Sequence, residues 1–170
     1  MLQNDIIRPS TNSCFSPVLI VKKQDGSWRF CVDYHALNAI TVKDRFPILT
    51  IGKLLDEFGG AQWFSMLDLL QGYHQILMKK EDVYKAAFRM HQGHYEFCVM
   101  PFMLGNAPSS FQTTMNSTFK FYLLKFVIVF FNDILICNRT LEEPVSNLEK
   151  TFQVLEDGDF FLKLSKCTFA

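Results

Sequence analysis

The sequence predicts an α+β fold, a mainly antiparallel sheet packed against helices. Two observations carry this. Short β-branched and aromatic runs come in pairs around polar turns, the signature of hairpins. Between them lie segments with apolar residues at i, i+4 spacing, the signature of helices that bury one stripe. Mixed in this order, such elements build a sheet with helices on one face. The composition allows a core for it: 49% of the 170 residues are hydrophobic and 20% charged, and 18 Phe raise the aromatic share to 15%, far from the signature of disorder.

Taken in order, Pro17–Lys23 and Trp28–Tyr34 flank Gln24-Asp-Gly-Ser27 and read as a hairpin, with the basic pair Lys22 and Lys23 close to its tip. Ile51–Phe58 has helical spacing and stops at Gly59-Gly60. Trp63–Leu69 reads as a strand closing on Asp68, and Tyr84–Arg89 with Tyr95–Met100 as a hairpin around His91-Gln-Gly-His94. From Pro108, the residues Phe111, Met115, Phe119 and Tyr122 form a helical stripe. Phe126–Phe131 and Ile134–Cys137 read as strands joined by an Asn132-Asp133 turn. Leu141, Val145, Leu148, Phe152 and Leu155 mark a second long helix, with Thr140 as N-cap and Pro144 in its first turn. A last strand covers Phe160–Leu164. There is no repeat, low-complexity tract or linker, so one compact unit is expected.

Lys plus Arg and Asp plus Glu number 17 each, so net charge gives no footprint for nucleic acid, and any such partner must be argued from a site. The five cysteines are widely spaced without a C-x-x-C pair, which points to a reduced, intracellular compartment. No signal peptide is read at Met1–Arg8. Leu123–Ile136, the most apolar stretch, is interrupted by Lys125, Asn132 and Asp133 and falls short of the ~20 residues of a spanning helix, so no membrane role is expected. Two glycosylation acceptor patterns, at Asn116 and Asn138, matter only on a secretory route.

Asp68 and Asp133 both fall at strand ends, where adjacent strands could bring them together. Gathered carboxylates suit a hard divalent ion, because Mg²⁺ takes oxygen ligands and leans on one or two carboxylates plus substrate phosphates. Two such ions about 3.5–4 Å apart serve in-line phosphoryl transfer. The competing reading is a turn residue or cap. His91 and His94 form an H-x-x-H, but with no second ligand pair nearby a turn explains them better than zinc.

A set of blocks in register narrows the choice. These are Phe15–Lys23, Asp25–Tyr34, Leu67-Asp-Leu with Gly72-Tyr-His-Gln-Ile, His94-Tyr-Glu-Phe, Val99-Met-Pro-Phe, Asn106-Ala-Pro with Phe111-Gln, and Val129-Phe-Phe-Asn-Asp-Ile-Leu. Together they resemble the successive motifs of reverse transcriptases from gypsy-class (Metaviridae-like) LTR retrotransposons, across almost the whole chain. The resemblance implies the fingers and palm of a right-hand polymerase. Fingers would cover about residues 1–60 and 75–100 and palm about 61–74 and 101–170, with the thumb absent.

Carried over by position, the resemblance makes Asp68 a ligand of two Mg²⁺ (or Mn²⁺) ions and the backbone carbonyl of Leu69 a further ligand. The family's paired acids fall on Asn132 and Asp133, and the first of them, normally the direct ligand, is here an amide. Asn offers one neutral carbonyl where Asp offers two charged oxygens, so metal affinity should fall. Lys22, Lys23 and Arg29 resemble the cations that grip the incoming triphosphate. Tyr73 matches the aromatic that excludes a ribose 2′-hydroxyl. Phe102 is expected near the nucleotide, and Asn106 and Gln112 on a template-side helix. Departures include His35 for Arg, Leu70-Gln71, and Met103 and Gly105 where the family has Gly and Thr; a Met adds bulk where Gly would allow the backbone to approach a ligand or to adopt a positive φ.

The implied partners are a primed RNA or DNA template, dNTPs, and the thumb, ribonuclease H and integrase of a Pol polyprotein. The chain ends before the family's primer-holding hairpin. The implied setting is a cytoplasmic virus-like particle. Two functions follow: an RNA-directed DNA polymerase domain, impaired by Asn132 and truncation, or an inactive remnant that at most binds nucleic acid.

Overall fold

A computed structural model describes residues 5–22, 26, 28–44, 52, 58–140 and 142–169. The expected short helix over residues 51–58 and the hairpin tip with Lys23 lie outside the described residues, apart from positions 26, 52 and 58. The strands are β1 (Ile7–Pro9), β2 (Ser16–Lys22), β3 (Trp28–Val32), β4 (Trp63–Asp68), β5 (Ala87–Met90), β6 (Gly93–Phe97), β7 (Val127–Phe130) and β8 (Asp133–Asn138). The α-helices set wholly within the described residues are α1 (His35–Ile40), α2 (Ala107–Thr118) and α3 (Glu143–Asp157). Rather than the one compact unit expected, they fall into two, one of residues 1–44 and 76–107, the other of 45–75 and 108–170. The α+β class expected from the hairpins and helical stripes is the class observed.

In the first unit the strand order is β1-β6-β5-β2-β3. Its ladders are antiparallel except for the parallel pairing of β2 with β5 at Ser16↔Phe88 and Pro17↔Arg89. The expected β2–β3 hairpin forms with Lys22 opposite Trp28. The β5–β6 hairpin is tighter than read, closing at Met90↔Gly93, and Tyr84 sits in a 3-10 turn ahead of it. Ile7, Val32, Tyr34, Ala86, Phe88, Phe97 and Val99 form the core, and the Tyr34 hydroxyl donates to Ala86 O at 3.0 Å.

Helix α1, not anticipated from sequence, braces a loop through Asn38. The Asn38 Nδ2 donates to Met103 O (2.9 Å), and Gly105 N–H donates to Asn38 Oδ1 (2.7 Å). Met103 there adopts φ +89°, a region in which a side chain is strained. A Cβ at position 105 would come within 3.2 Å of Asn38 Oδ1, so the small residue there fits the brace.

The second unit is built on the sheet β4-β8-β7. One face of it is sealed by Ser65, Leu67, Val127, Val129, Ile134, Ile136 and Asn138, all buried. Alternation puts Asp68, Asp133 and Phe130 on the other face. The α2 stripe is as read at Phe111 and Met115, both buried; Phe119, buried, and Tyr122, half-buried, fall in the turns beyond the helix end.

Three sequence expectations need correction here. The two-residue turn of the β7–β8 hairpin is Phe131-Asn132, since Phe130 pairs with Asp133. Phe131 takes φ +52° while Asn132 does not turn positive, the φ pattern of a type II′ turn, whose first position glycine normally fills. Helix α3 starts at Glu143 without a Thr140 cap; instead the Glu143 Oε2 accepts from the N–H groups of Arg139 (2.8 Å) and Thr140 (3.3 Å). It buries Pro144, Asn147, Thr151 and Leu155 and leaves Val145 and Phe152 exposed. It docks by a polar pair, Asn147 Nδ2 to Asn138 Oδ1 at 2.8 Å, which rotates it off the apolar stripe. The expected strand at Phe160–Leu164 is a single bridge, Leu69↔Leu162, followed by a 3-10 turn at Leu164–Lys166.

Met103→Gly should relieve the strained φ. Strain of this kind costs ~1–3 kcal/mol, partly offset by the greater freedom of Gly in the unfolded chain, leaving a gain of about 1 kcal/mol. The thermal midpoint measured by circular dichroism should rise by roughly 2–4 °C. A lower midpoint would mean that Met103 contributes packing that outweighs its backbone strain.

Candidate active site at the end of the second sheet

Asp68 and Asp133 are opposite one another in the β4–β8 ladder. Leu69 N–H donates to Asn132 O (3.2 Å), which makes Asp68↔Asp133 the non-hydrogen-bonded kind of pair, in which the side chains stand closest. Both carboxylates therefore project side by side from one face of the sheet end. Burial and the neighbouring Asp68 charge push the Asp133 carboxyl up from the usual carboxylate range, and Lys166 pulls it back. Lys166 Nζ lies 3.2 Å from Asp68 Oδ2.

Asn132 sits in the turn beside this pair. Its Oδ1 is buried and has no hydrogen-bond partner among the described residues. It lies against Gly72, where a Cβ would come within 2.9 Å of it and 3.1 Å of the Phe111 ring. Gly72 is thus held to glycine by a close approach rather than by its φ.

The residues present offer a hard cation two carboxylates side by side, and Mg²⁺ needs no more than one or two carboxylates beside water and phosphate. The donor set fits such an ion. It is short of the three acids that would balance two dications, since the described residues contain no cluster of three or more His, Cys, Asp or Glu ligands.

Tyr73 is buried against Phe111, ring centroids 5.0 Å apart, and burial raises its phenol. Gln112 is also buried. Its Nε2 donates to Val129 O and Asn116 Oδ1 (2.9 Å each), and its Oε1 accepts from Phe131 N–H (3.3 Å). The amide that was expected to meet a template is instead a strut holding the turn to α2.

In the first unit, the Arg29 guanidinium lies 5.7 Å from the Phe102 ring centroid, so two residues assigned to the nucleotide are neighbours. Lys22 is exposed, with Nζ 5.9 Å from the Trp28 ring centroid. Asn106 precedes α2 and is tied to the backbone: it accepts from Asp44 N–H (3.0 Å) and donates to Val42 O (2.8 Å).

Sequence reading missed Lys166 and Gln75. The Gln75 Nε2 donates to Leu70 O (2.6 Å) and Phe161 O (3.0 Å), and Phe161 N–H donates to Gln75 Oε1 (2.7 Å). Gln75 belonged to a quoted block, which was a usable signal; the 98-residue separation of Lys166 from Asp68 gave none.

The charge layout fixes a pH dependence. A carboxyl raised in the folded chain binds its proton more tightly there than when unfolded. Asp133 therefore favours folding at low pH, and that contribution is lost as pH rises from the ordinary carboxylate value through the raised one. Followed by carboxyl carbon NMR, the Asp133 midpoint should move down in Asp68→Asn and up in Lys166→Met. An unmoved midpoint in Asp68→Asn would mean that the two carboxylates do not sense each other.

Residues 21–170 match the family described as Reverse transcriptase (RNA-dependent DNA polymerase). The Pol polyprotein of the Drosophila melanogaster transposon 297 is 40% identical over 99% of this chain, and that of transposon gypsy 32% over 99%. The Tf2-3 polyprotein of Schizosaccharomyces pombe is 34% identical over 99%. The chain spans only 16%, 17% and 13% of these relatives' respective lengths. Among solved structures, the foamy viral protease-reverse transcriptase in complex with double-stranded DNA superposes with a TM-score of 0.90. That match is 23% identical and covers 99% of this chain and 29% of the viral one. The same viral enzyme with an RNA/DNA hybrid gives 0.87 at 22% identity, covering 96% and 22%. The expected resemblance to gypsy-class elements is borne out, and the chain belongs to the reverse transcriptase (RNA-dependent DNA polymerase) family.

Proposed function

We propose that the Asp68–Asp133 end of the β4-β8-β7 sheet is the nucleotidyl-transfer centre of an RNA-directed DNA polymerase, and that Asn132 leaves it impaired. One observation carries the reading: two carboxylates paired side by side at a sheet end, with an orphaned amide oxygen at the next position.

In the reaction a primer 3′-hydroxyl attacks the α-phosphorus of a dNTP and pyrophosphate leaves. Asp68, Asp133 and the Leu69 carbonyl would hold Mg²⁺ or Mn²⁺, which when bound lowers the charge on the attacking and leaving oxygens. The residues of the chain supply the rest. Lys22, Lys23 and Arg29 neutralise triphosphate oxygens. Phe102 steadies the Arg29 guanidinium from one side. The buried Tyr73 ring, backed by Phe111, is rigid enough to reject a 2′-hydroxyl by shape.

Template and primer, RNA or DNA, are the proposed macromolecular ligands, and the thumb, ribonuclease H and integrase of a Pol polyprotein the proposed partners, in a cytoplasmic virus-like particle. Residues about 1–60 and 75–100 are assigned to fingers and about 61–74 and 101–170 to palm. The neutral Asn132 and the strained Met103 favour a second reading, an inactive remnant that at most binds nucleic acid.

Primer extension with Mg²⁺ or Mn²⁺ separates the two. The chain alone should give no extension above background. Asn132→Asp, in a chain joined to a relative's thumb, should raise extension by ~10²–10³, the usual worth of one contact directed at the transition state. Asp68→Asn should abolish the gain. A repaired chain that folds and binds primer-template yet does not extend would remove Asn132 as the main lesion. In the repaired chain, Tyr73→Ala should admit ribonucleotides, and unchanged dNTP selectivity would take Tyr73 out of the site.

A further inference from the structure

The loop that delivers Lys166 is fastened to β4 on both sides of Asp68. Before it, Leu69 and Leu162 form a bridge, with Leu70 N–H donating to Phe161 O (2.9 Å) and Lys163 N–H to Asp68 O (2.8 Å). The Gln75 side-chain amide pairs with the Phe161 backbone as a neighbouring strand would. After it, Met66 and Thr168 exchange N–H···O bonds of 2.8 Å in both directions. The 3-10 turn Leu164–Lys166 is thereby arched over the strand that carries Asp68, and Lys166 Nζ reaches Asp68 Oδ2.

An exposed ion pair of this kind adds little stability, and the Lys166 side chain is 58% exposed. A stapled loop that aims one ammonium at a ligating carboxylate calls for another account. We propose that Lys166 is the built-in counter-cation of the Asp68–Asp133 pair, and that a divalent ion must displace it from Asp68, so that Lys166 sets the metal affinity of the site. This rests on the reading of Asp68 as a metal ligand.

The physical case is one of competing charges. Asp68 Oδ2 has an ammonium at hydrogen-bonding distance, and a hard dication binds the same oxygen at about 2 Å. The carboxylate can serve both only by holding the ammonium close to the dication. If Lys166 stays, it lies within a few ångströms of a double positive charge; if it leaves, the ion pair is lost. Repulsion at such a range in a partly hydrated site amounts to roughly three- to thirty-fold in binding.

The test measures Mn²⁺ binding to the full chain by loss of the free-ion EPR signal, with circular dichroism as the check on folding. Lys166→Met and Lys166→Gln should each tighten Mn²⁺ roughly three- to thirty-fold, Lys166→Arg should stay near the parent value, and Asp68→Asn should abolish binding. If the two neutral variants bind Mn²⁺ no more tightly while Asp68→Asn abolishes binding, the Lys166 proposal is overturned and the metal reading stands. Binding that survives Asp68→Asn overturns the metal reading and the proposal with it. Lys166 is a surface side chain, so at least one of its neutral replacements should keep the fold.

Discussion

The register of β4 against β8 determines everything at the sheet end. Like charges directly opposite one another in a ladder are unfavourable, yet Asp68 and Asp133 are held in the pair type that brings side chains closest. Neither strand can slip to relieve it. A shift of one residue would turn Leu67, Val129, Ile134 and Ile136 out of the core and bring alternate residues in. The buried apolar face thus imposes the acidic pair on the opposite face, and the repulsion is left to be met by a cation. In the free chain that cation is Lys166, delivered by a segment tied down through Gln75, Leu162 and Thr168.

The hairpin between β7 and β8 translates this register into the placement of residue 132. Phe131 carries the positive φ of the turn, and Gln112 from α2 accepts its N–H while donating to Val129 O. Asn132 is then confined between the turn and Gly72. The backbone in that position has little freedom to move, because the strut and the strand pair fix it independently of the Asn132 side chain.

How much of this was legible follows from which interactions are local. Hairpins and the α2 stripe were readable because β-branched runs around polar turns and i, i+4 patterns are written in nearby residues, as in Val18–Lys22 or Phe111–Met115. The α3 face was misread because its docking contact is polar, Asn147 to Asn138, and a hydrophobic stripe carries no record of it. The β7–β8 turn was misplaced by one residue because Asn-Asp is the better intrinsic turn pair, and the ladder put a strained Phe131 there instead. Asp68 and Asp133 were identifiable through their flanking blocks. The loop bearing Lys166 was not, since its hold on β4 is made of backbone bonds and one glutamine amide between distant segments.

The same geometry explains why an amide at position 132 is compatible with an intact fold. A carboxylate there would add a third negative charge beside a pair whose Asp133 carboxyl is already pushed up by burial and by Asp68. It would be buried where Oδ1 now has no partner. An uncompensated buried charge costs considerably more than an unpaired amide oxygen. An amide at position 132 therefore puts a lighter electrostatic load on the sheet end than a carboxylate would. With the amide, the chain keeps its core, its ladders and its Gln112 strut without a third negative charge at the sheet end.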